Sequence, residues 1–377
     1  MKDLSLYIHI PFCISKCYYC DFSSFTNINH KIDEYINSLI IELDLYKDKI
    51  KDYSIKTIFI GGGTPSCINP RYINRILEFI YRNFNTSDLV EVTIEANPGT
   101  LDKEKVQIYM ESGINRVSMG MQTLDDTLLK SIGRIHSTKD FYKSYEILRN
   151  GNMKNINVDL IFGLPNQSID QVISSLKKVV ELGVEHVSYY GLILEENTKF
   201  YKLYNEGKIS LPDENIERMM YHKATEYLTN HGYKHYEISN YALPTYECKH
   251  NLVYWELRPY LGVGLSSHSN MRGKRFFNTS DINIYIEKLN MNKLPVEGKE
   301  IIDKDTEMEE FCILGIRKIE GLSKIEFKNR FEVEIEKIYG DIIKKHIDNG
   351  LILNDHNIRL TKKGLDLSNL VEVDFLK

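Results

Sequence analysis

Short apolar runs and longer amphipathic stretches alternate through the first two-thirds of the chain. Residues 4–9, 55–60, 90–95, 116–119, 157–162 and 185–189 are runs rich in Ile, Val, Tyr and Phe between turn-forming residues, and read as strands. Residues 32–45 place Ile36, Leu39, Ile40 and Leu43 on one helical face, and residues 72–84 and 172–182 behave alike. Repeated strand–helix units predict parallel strands with helices outside them. Six such units predict an α/β fold, a partial (βα)6-type barrel, whose chemistry sits at the C-terminal ends of the strands.

The pattern changes after about residue 200. Residues 233–241 read as another extended piece, and residues 306–318, 323–331 and 335–349 as helices. Residues 351–353 and 358–360 read as a hairpin around 354–357. These divide the chain into a barrel core (1–240), a connecting segment (241–300) and a small C-terminal winged-helix-like domain (301–377). Winged helices often bind DNA, but residues 305–377 hold 12 Lys+Arg against 15 Asp+Glu, so a cap or docking role is expected instead.

The whole chain of 377 residues carries a net charge of −5, and no nucleic-acid partner is expected. The first residues lack the basic start, long apolar core and small-residue cleavage site of a signal peptide. No run of about 18 apolar residues occurs, so a cytoplasmic location is expected. Of the six cysteines, Cys13, Cys17 and Cys20 crowd together, whereas Cys67, Cys248 and Cys312 are scattered and read as buried fillers. In a reducing compartment the crowded set reads as a metal site.

Unusual residues collect at the expected barrel rim: Gly61–Thr64 after the second strand, Glu95 and Asn97 after the third, Gln122 after the fourth, and Asp159 in the fifth. Three thiolates on one short loop can hold three corners of an iron–sulfur cube, leaving one iron without a protein ligand. S-adenosylmethionine (SAM) can chelate that iron through its amino and carboxylate groups, and electron injection then cleaves its sulfonium to a carbon radical. Structural zinc is the competing reading, with His9 as a fourth ligand. Downstream, His250-Asn251-Leu-Val-Tyr254-Trp255 contains the only tryptophan. A neutral imidazole is a common axial ligand to haem iron, Asn251 could orient it, and Tyr254 and Trp255 could stack on a porphyrin. The same residues could equally be a hydrogen-bonded histidine beside a packed Tyr–Trp pair.

The spacing C-x3-C-x2-C after Tyr7-Ile-His9-Ile-Pro-Phe resembles the radical SAM superfamily. Gly61-Gly-Gly-Thr-Pro65, Thr93-Ile-Glu-Ala-Asn-Pro98, Ser118-Met-Gly-Met-Gln122 and Val158-Asp-Leu-Ile-Phe-Gly-Leu-Pro165 narrow the resemblance to anaerobic coproporphyrinogen III oxidases (HemN-type) and the related haem chaperones (HemW-type). The resemblance covers nearly the whole chain. It implies a [4Fe–4S] cluster on Cys13, Cys17 and Cys20. It also implies a SAM site with Tyr7 packed nearby, backbone groups of Gly62, Gly63 and Thr64, and side chains of Glu95, Gln122, Arg134 and Asp159. The oxidases carry a further cysteine where this chain has Phe22, and His250, Asn251, Tyr254 and Trp255 match the chaperone motif H-N-x-x-Y-W. The segment 260–269 is also similar to that branch, although Ser266 and Ser267 replace small residues common there. The resemblance therefore implies haem as ligand, haem-acceptor proteins as partners, and peripheral contact with membrane haem proteins. A reductant such as flavodoxin or ferredoxin would serve the cluster. Oxidative decarboxylation of coproporphyrinogen III is the alternative activity, and Phe22 argues against it.

Overall fold

Alternation along the first strand shows how the barrel forms. In β1 (Lys2–Ile10), Leu4, Leu6, Ile8 and Ile10 are buried in the core, while Tyr7 and His9 occupy the opposite face. β2 (Tyr53–Gly62), β3 (Glu91–Ala96), β4 (Arg116–Gln122), β5 (Ile156–Phe162) and β6 (His186–Gly191) follow in sequence order, each parallel to the one before. Amphipathic helices cover the outside. The helix Pro70–Asn83 is capped by Asn69, starts on proline and buries Ile73, Ile76, Leu77 and Ile80. The helices Thr138–Asn150 and Ile169–Glu181 start in capping boxes at Ser137 and Ser168. This computed structural model describes residues 1–376.

The sheet extends past the six strands on both sides and does not close. β7 (Lys234–Glu237) and β8 (Asn240–Ala242) add antiparallel strands beyond β6. β9 (Tyr260–Val263) pairs in parallel with β1, and β10 (His268–Met271), β11 (Lys274–Asn278) and β12 (Val296–Ile301) continue antiparallel, giving twelve strands in all. The segment expected as a connection thus supplies one edge of the main sheet, together with the helix Lys249–Trp255.

After β12 the chain forms a second core around Phe311, Phe327, Phe331, Tyr339 and Ile343. Its helices Lys304–Gly315, Lys324–Phe331 and Ile335–Asp348 pack with the sheet β13 (Leu322–Ser323), β14 (Ile352–Asn354) and β15 (Asn357–Leu360), in the order β13–β15–β14. Backbone bonds from Ile238 N–H to Arg317 O (3.1 Å) and from Ile319 N–H to Tyr236 O (3.1 Å) fasten this unit to the barrel. The Arg317 guanidinium lies over the Trp255 ring, 4.8 Å from its centre. Among the described residues no helix is long and apolar enough to cross a membrane.

Candidate functional site

The C-terminal strand ends and the loops that follow surround a cavity of about 450 Å³. Cys13, Cys17 and Cys20 line one side of it as free thiols. Their loop is pinned at both ends. Cys13 N–H donates to Phe25 O (2.9 Å), Phe25 N–H to Pro11 O (2.8 Å), and Tyr18 N–H to Ile132 O (3.0 Å). Burial raises the pKa of the Cys20 thiol.

Glycine is required at the floor of this loop. Gly62 has φ +109°, and a Cβ there would lie 2.4 Å from the His9 ring. That ring is fixed: His9 Nε2 meets Ser23 O (2.8 Å) and Nδ1 meets the Tyr7 hydroxyl (3.0 Å). Since a carbonyl only accepts, Nε2 carries the proton and Nδ1 accepts from Tyr7. Burial lowers the His9 pKa to about 4, so the ring is neutral at pH 7.

Arg134 ties the thiol side to the strands. Its Nη1 donates to Cys17 Sγ (3.2 Å), and its Nη2 donates to Asn97 Oδ1 (2.8 Å) and to Gly120 O. A Cβ at Gly120 would crowd Nη2 at 2.9 Å, so glycine admits the guanidinium. Asn97 also donates to Thr64 Oγ1 (2.9 Å), which lies 3.6 Å from Cys13 Sγ. A register shift between Gly120 and Gln122 ends β4 in a bulge with Gln122 at φ +70°, turning its side chain into the cavity.

Two carboxyl groups line the same cavity as the thiols. Glu95 Oε2 accepts from Gly62 N–H (3.0 Å). Burial, reinforced by the Asp159 charge, lifts the Glu95 pKa from 4.5 to about 7. Asp159 accepts from Asn157 Nδ2 (2.6 Å) and from Ser118 Oγ (3.3 Å).

The donor set fits a sulfur-rich, anionic cluster. Three thiols share one wall, and Arg134 and Thr64 offer hydrogen bonds to two of the sulfurs. Among the described residues no three His, Cys, Asp or Glu side chains converge on a single metal ion, and both nitrogens of His9 are committed elsewhere. The single-zinc reading therefore lacks its fourth ligand. The polar part of the lining, with Glu95, Gln122 and Asp159, suits a ligand carrying hydroxyl and amino groups. The backbone N–H groups of Gly62, Gly63 and Thr64 already donate to Glu95, Ile10 O and Phe12 O, so this loop has no free N–H for a ligand.

The second motif lies apart from the thiols. Glu91 accepts from the backbone N–H groups of Lys249 (2.9 Å) and His250 (3.1 Å), anchoring the start of the helix Lys249–Trp255. Asn251 reaches the cavity, but His250 is only 1% exposed and packs on Phe59. Its Nδ1 meets Thr57 Oγ1 (2.7 Å) and its Nε2 meets the Tyr254 hydroxyl (3.0 Å). Thr57 donates its own hydrogen to Ser5, so Nδ1 is the donor and Nε2 accepts from Tyr254. Burial, with the Arg116 charge second, lowers the His250 pKa to about 3. Here the structure adopts the hydrogen-bonded alternative: an iron bond from His250 requires Tyr254 to release Nε2. Outside Tyr254 lies a cleft of about 280 Å³ walled by Tyr254, Leu257, Tyr260, Ile313 and Leu314, with Arg275 and Glu310 paired at its rim. Trp255 is held beneath Arg317, and its Nε1 has no partner among the described residues. Cys248 and Cys312 are buried as expected, whereas Cys67 is only half-buried, its thiol donating to Phe12 O (3.5 Å).

The structure thus places Cys13, Cys17, Cys20, Gly62, Gly63, Thr64, Glu95, Gln122, Arg134 and Asp159 around one cavity, with Tyr7 behind them on Phe59. Sequence reasoning missed Arg116, Ser118, Asn157 and Ser188, which also line it. For the first two a signal existed: positions 116, 118, 120 and 122 alternate on one face of β4.

Comparison with known proteins agrees in extent. Residues 7–197 match the family model described as the radical SAM superfamily, and residues 302–367 that of the HemN C-terminal domain. The protein named "Heme chaperone HemW" of Lactococcus lactis is 39% identical over 376 residues, covering 100% of this chain and 98% of the relative. Its namesake in Bacillus subtilis is 37% identical over 374 residues, covering 99% of each. Among solved structures, the coproporphyrinogen III oxidase HemN of Escherichia coli superposes with a TM-score of 0.86 at 22% identity, covering 99% of this chain and 90% of that one, which shows a shared fold.

Proposed function

We propose that this chain, which belongs to the radical SAM superfamily and within it to the haem chaperone HemW family, binds haem and passes it to acceptor proteins. The observation carrying this reading is full-length identity of 37–39% to proteins named haem chaperones. Phe22 adds to it. It is 61% exposed at the cavity wall, and supplies an apolar ring where the oxidases have a thiol.

In this reading Cys13, Cys17 and Cys20 hold a [4Fe–4S] cluster, which when reduced supplies the electron that cleaves SAM. The chain's own groups do the positioning. Arg134, which donates to Cys17 Sγ, would steady that cluster ligand, Glu95 and Asp159 would accept from SAM hydroxyl or amino groups, and Gln122 would close the pocket. Because their N–H groups are committed, Gly62, Gly63 and Thr64 would meet a SAM ammonium through carbonyl oxygens, which accept. Haem would dock in the cleft beside Tyr254, with His250 Nε2 behind it as the iron ligand once Tyr254 swings aside. Asn251 and Trp255 would hold the helix that presents His250. Acceptors would be haem proteins, including membrane-bound ones met peripherally, and flavodoxin or ferredoxin would reduce the cluster.

The test runs two assays on anaerobically reconstituted protein with SAM and reductant. Haem should be taken up at about one per chain with a histidine-ligated spectrum. Coproporphyrinogen III should not be converted to protoporphyrinogen IX. Robust SAM-dependent conversion without saturable haem uptake would replace this reading with the oxidase.

A further inference from the structure

The floor of the cavity holds a cation to which the proposed cluster and SAM sites assign no role. Arg116 opens β4, 2% exposed, on the same face as Ser118, Gly120 and Gln122. It lies six residues below Gln122, roughly 20 Å at the usual strand rise. Its guanidinium makes no hydrogen bond or ion pair with any described residue, and its buried Nε is unpartnered.

The neighbouring anions are otherwise engaged. Glu91 is committed to the backbone of Lys249 and His250 and to the Cys248 thiol, and Asp159 to Asn157 and Ser118. The two nearby histidines are neutral: burial, with Arg116 second, lowers both His186 and His250. Glu91, Cys248 and Asp159 lie near enough to act on its charge without bonding to it, and Ser118, Asn157, Ser188 and Asn251 line the same cavity. Arginine cannot discharge itself by losing a proton. A buried guanidinium whose N–H groups lack acceptors is costly, and in a ligand cavity the missing acceptor is supplied by the ligand. The fork geometry selects a planar, bidentate partner, and the hydroxyl and amide groups complete its hydrogen bonds.

We infer that Arg116 and its polar surround form a carboxylate-binding subsite at the cavity floor, distinct from the thiol side, for a small organic acid or the carboxylate arm of a longer ligand. The subsite stands whether or not the chain carries haem.

The test uses reconstituted full-length protein at constant ionic strength, with acetate, propionate or succinate against chloride. The carboxylates should raise the melting temperature saturably, and chloride should not. Arg116→Met should abolish the effect, and Arg116→Lys, which keeps the charge but not the fork, should weaken affinity roughly ten- to hundredfold. A second arm compares haem with its dimethyl ester. A preference for the free acid that disappears in Arg116→Lys identifies a porphyrin propionate as the source, whereas saturable propionate binding without that preference identifies a free acid. If neither arm depends on Arg116, the subsite is refuted. Equal response to chloride, or carboxylate binding retained by Arg116→Lys at wild-type affinity, also refutes it.

Discussion

Replacing Glu95 by Gln separates what the carboxylate does for the ligand from what it does to the fold. Burial first, and the Asp159 charge second, raise its pKa from 4.5 to about 7. The folded state therefore holds a proton that the unfolded chain has released across that interval. Stability is fully present below 4.5 and is lost as pH rises through about 7. At about 1.4 kcal/mol per unit, the cost of ionising the site approaches about 3 kcal/mol at pH 8. Gln keeps the acceptor for Gly62 N–H without the charge, so Glu95→Gln should match wild type near pH 4.5 and exceed its stability by up to about 3 kcal/mol at pH 8. With a melting entropy of about 2.1 cal/mol/K per residue, that is about 4 °C for one cooperative unit of this size. SAM binding should nevertheless fall about five- to a hundredfold, because the charged acceptor is gone. The assay is thermal melting of ligand-free protein from pH 5 to 8, alongside SAM titration of the reconstituted protein. Glu42 supplies the control. Burial also lifts it to about 7, where it accepts from Tyr285 (2.6 Å), Gly264 N–H (2.8 Å) and Asn278 (2.6 Å), away from the cavity. Glu42→Gln should reproduce the stability trend and leave SAM binding alone. A pH-independent difference between wild type and Glu95→Gln, or unchanged SAM affinity, refutes the reasoning.

Reconstituted wild type should contain about four irons and four sulfides, and Cys13→Ala, Cys17→Ala and Cys20→Ala should each lose them; stoichiometric zinc in a colourless protein would contradict this. His250→Ala should change the haem spectrum or reduce uptake. It should also destabilise the protein by about 1–3 kcal/mol, since buried Thr57 and Tyr254 lose a partner, so melting must be read beside the spectrum. Tyr254→Phe is the cleaner perturbation: it frees Nε2 and should tighten haem binding roughly two- to tenfold, and weaker binding would place the iron ligand elsewhere.

The six parallel strands were legible because each is a short run of mainly β-branched, aromatic and other apolar residues between turn-forming segments, and the thiol loop because three cysteines in eight residues have few other readings. β9 to β12 were not legible. β10 to β12 are rich in polar residues, and β9, only four residues long, is defined by pairing residues 260–263 with residues 5–8, a contact local periodicity cannot signal. His250 shows a different limit. Sequence left an iron ligand and a core histidine open together, and the structure makes it a core histidine whose accepting nitrogen is covered by one hydroxyl. Arg116 was overlooked because an arginine at a strand start ordinarily faces water. The sheet curving around the cavity makes it internal, on the face that it shares with Ser118, Gly120 and Gln122.

Haem transfer is the most direct test of the chaperone reading. Haem-loaded protein is mixed with a passive haem scavenger in one series, and in another with membrane vesicles carrying an apo-cytochrome of the b type. Handover by contact predicts a transfer rate that rises with apo-cytochrome concentration and exceeds passive loss to the scavenger. A rate independent of the acceptor and equal to passive loss would contradict it, leaving a protein that binds haem without delivering it.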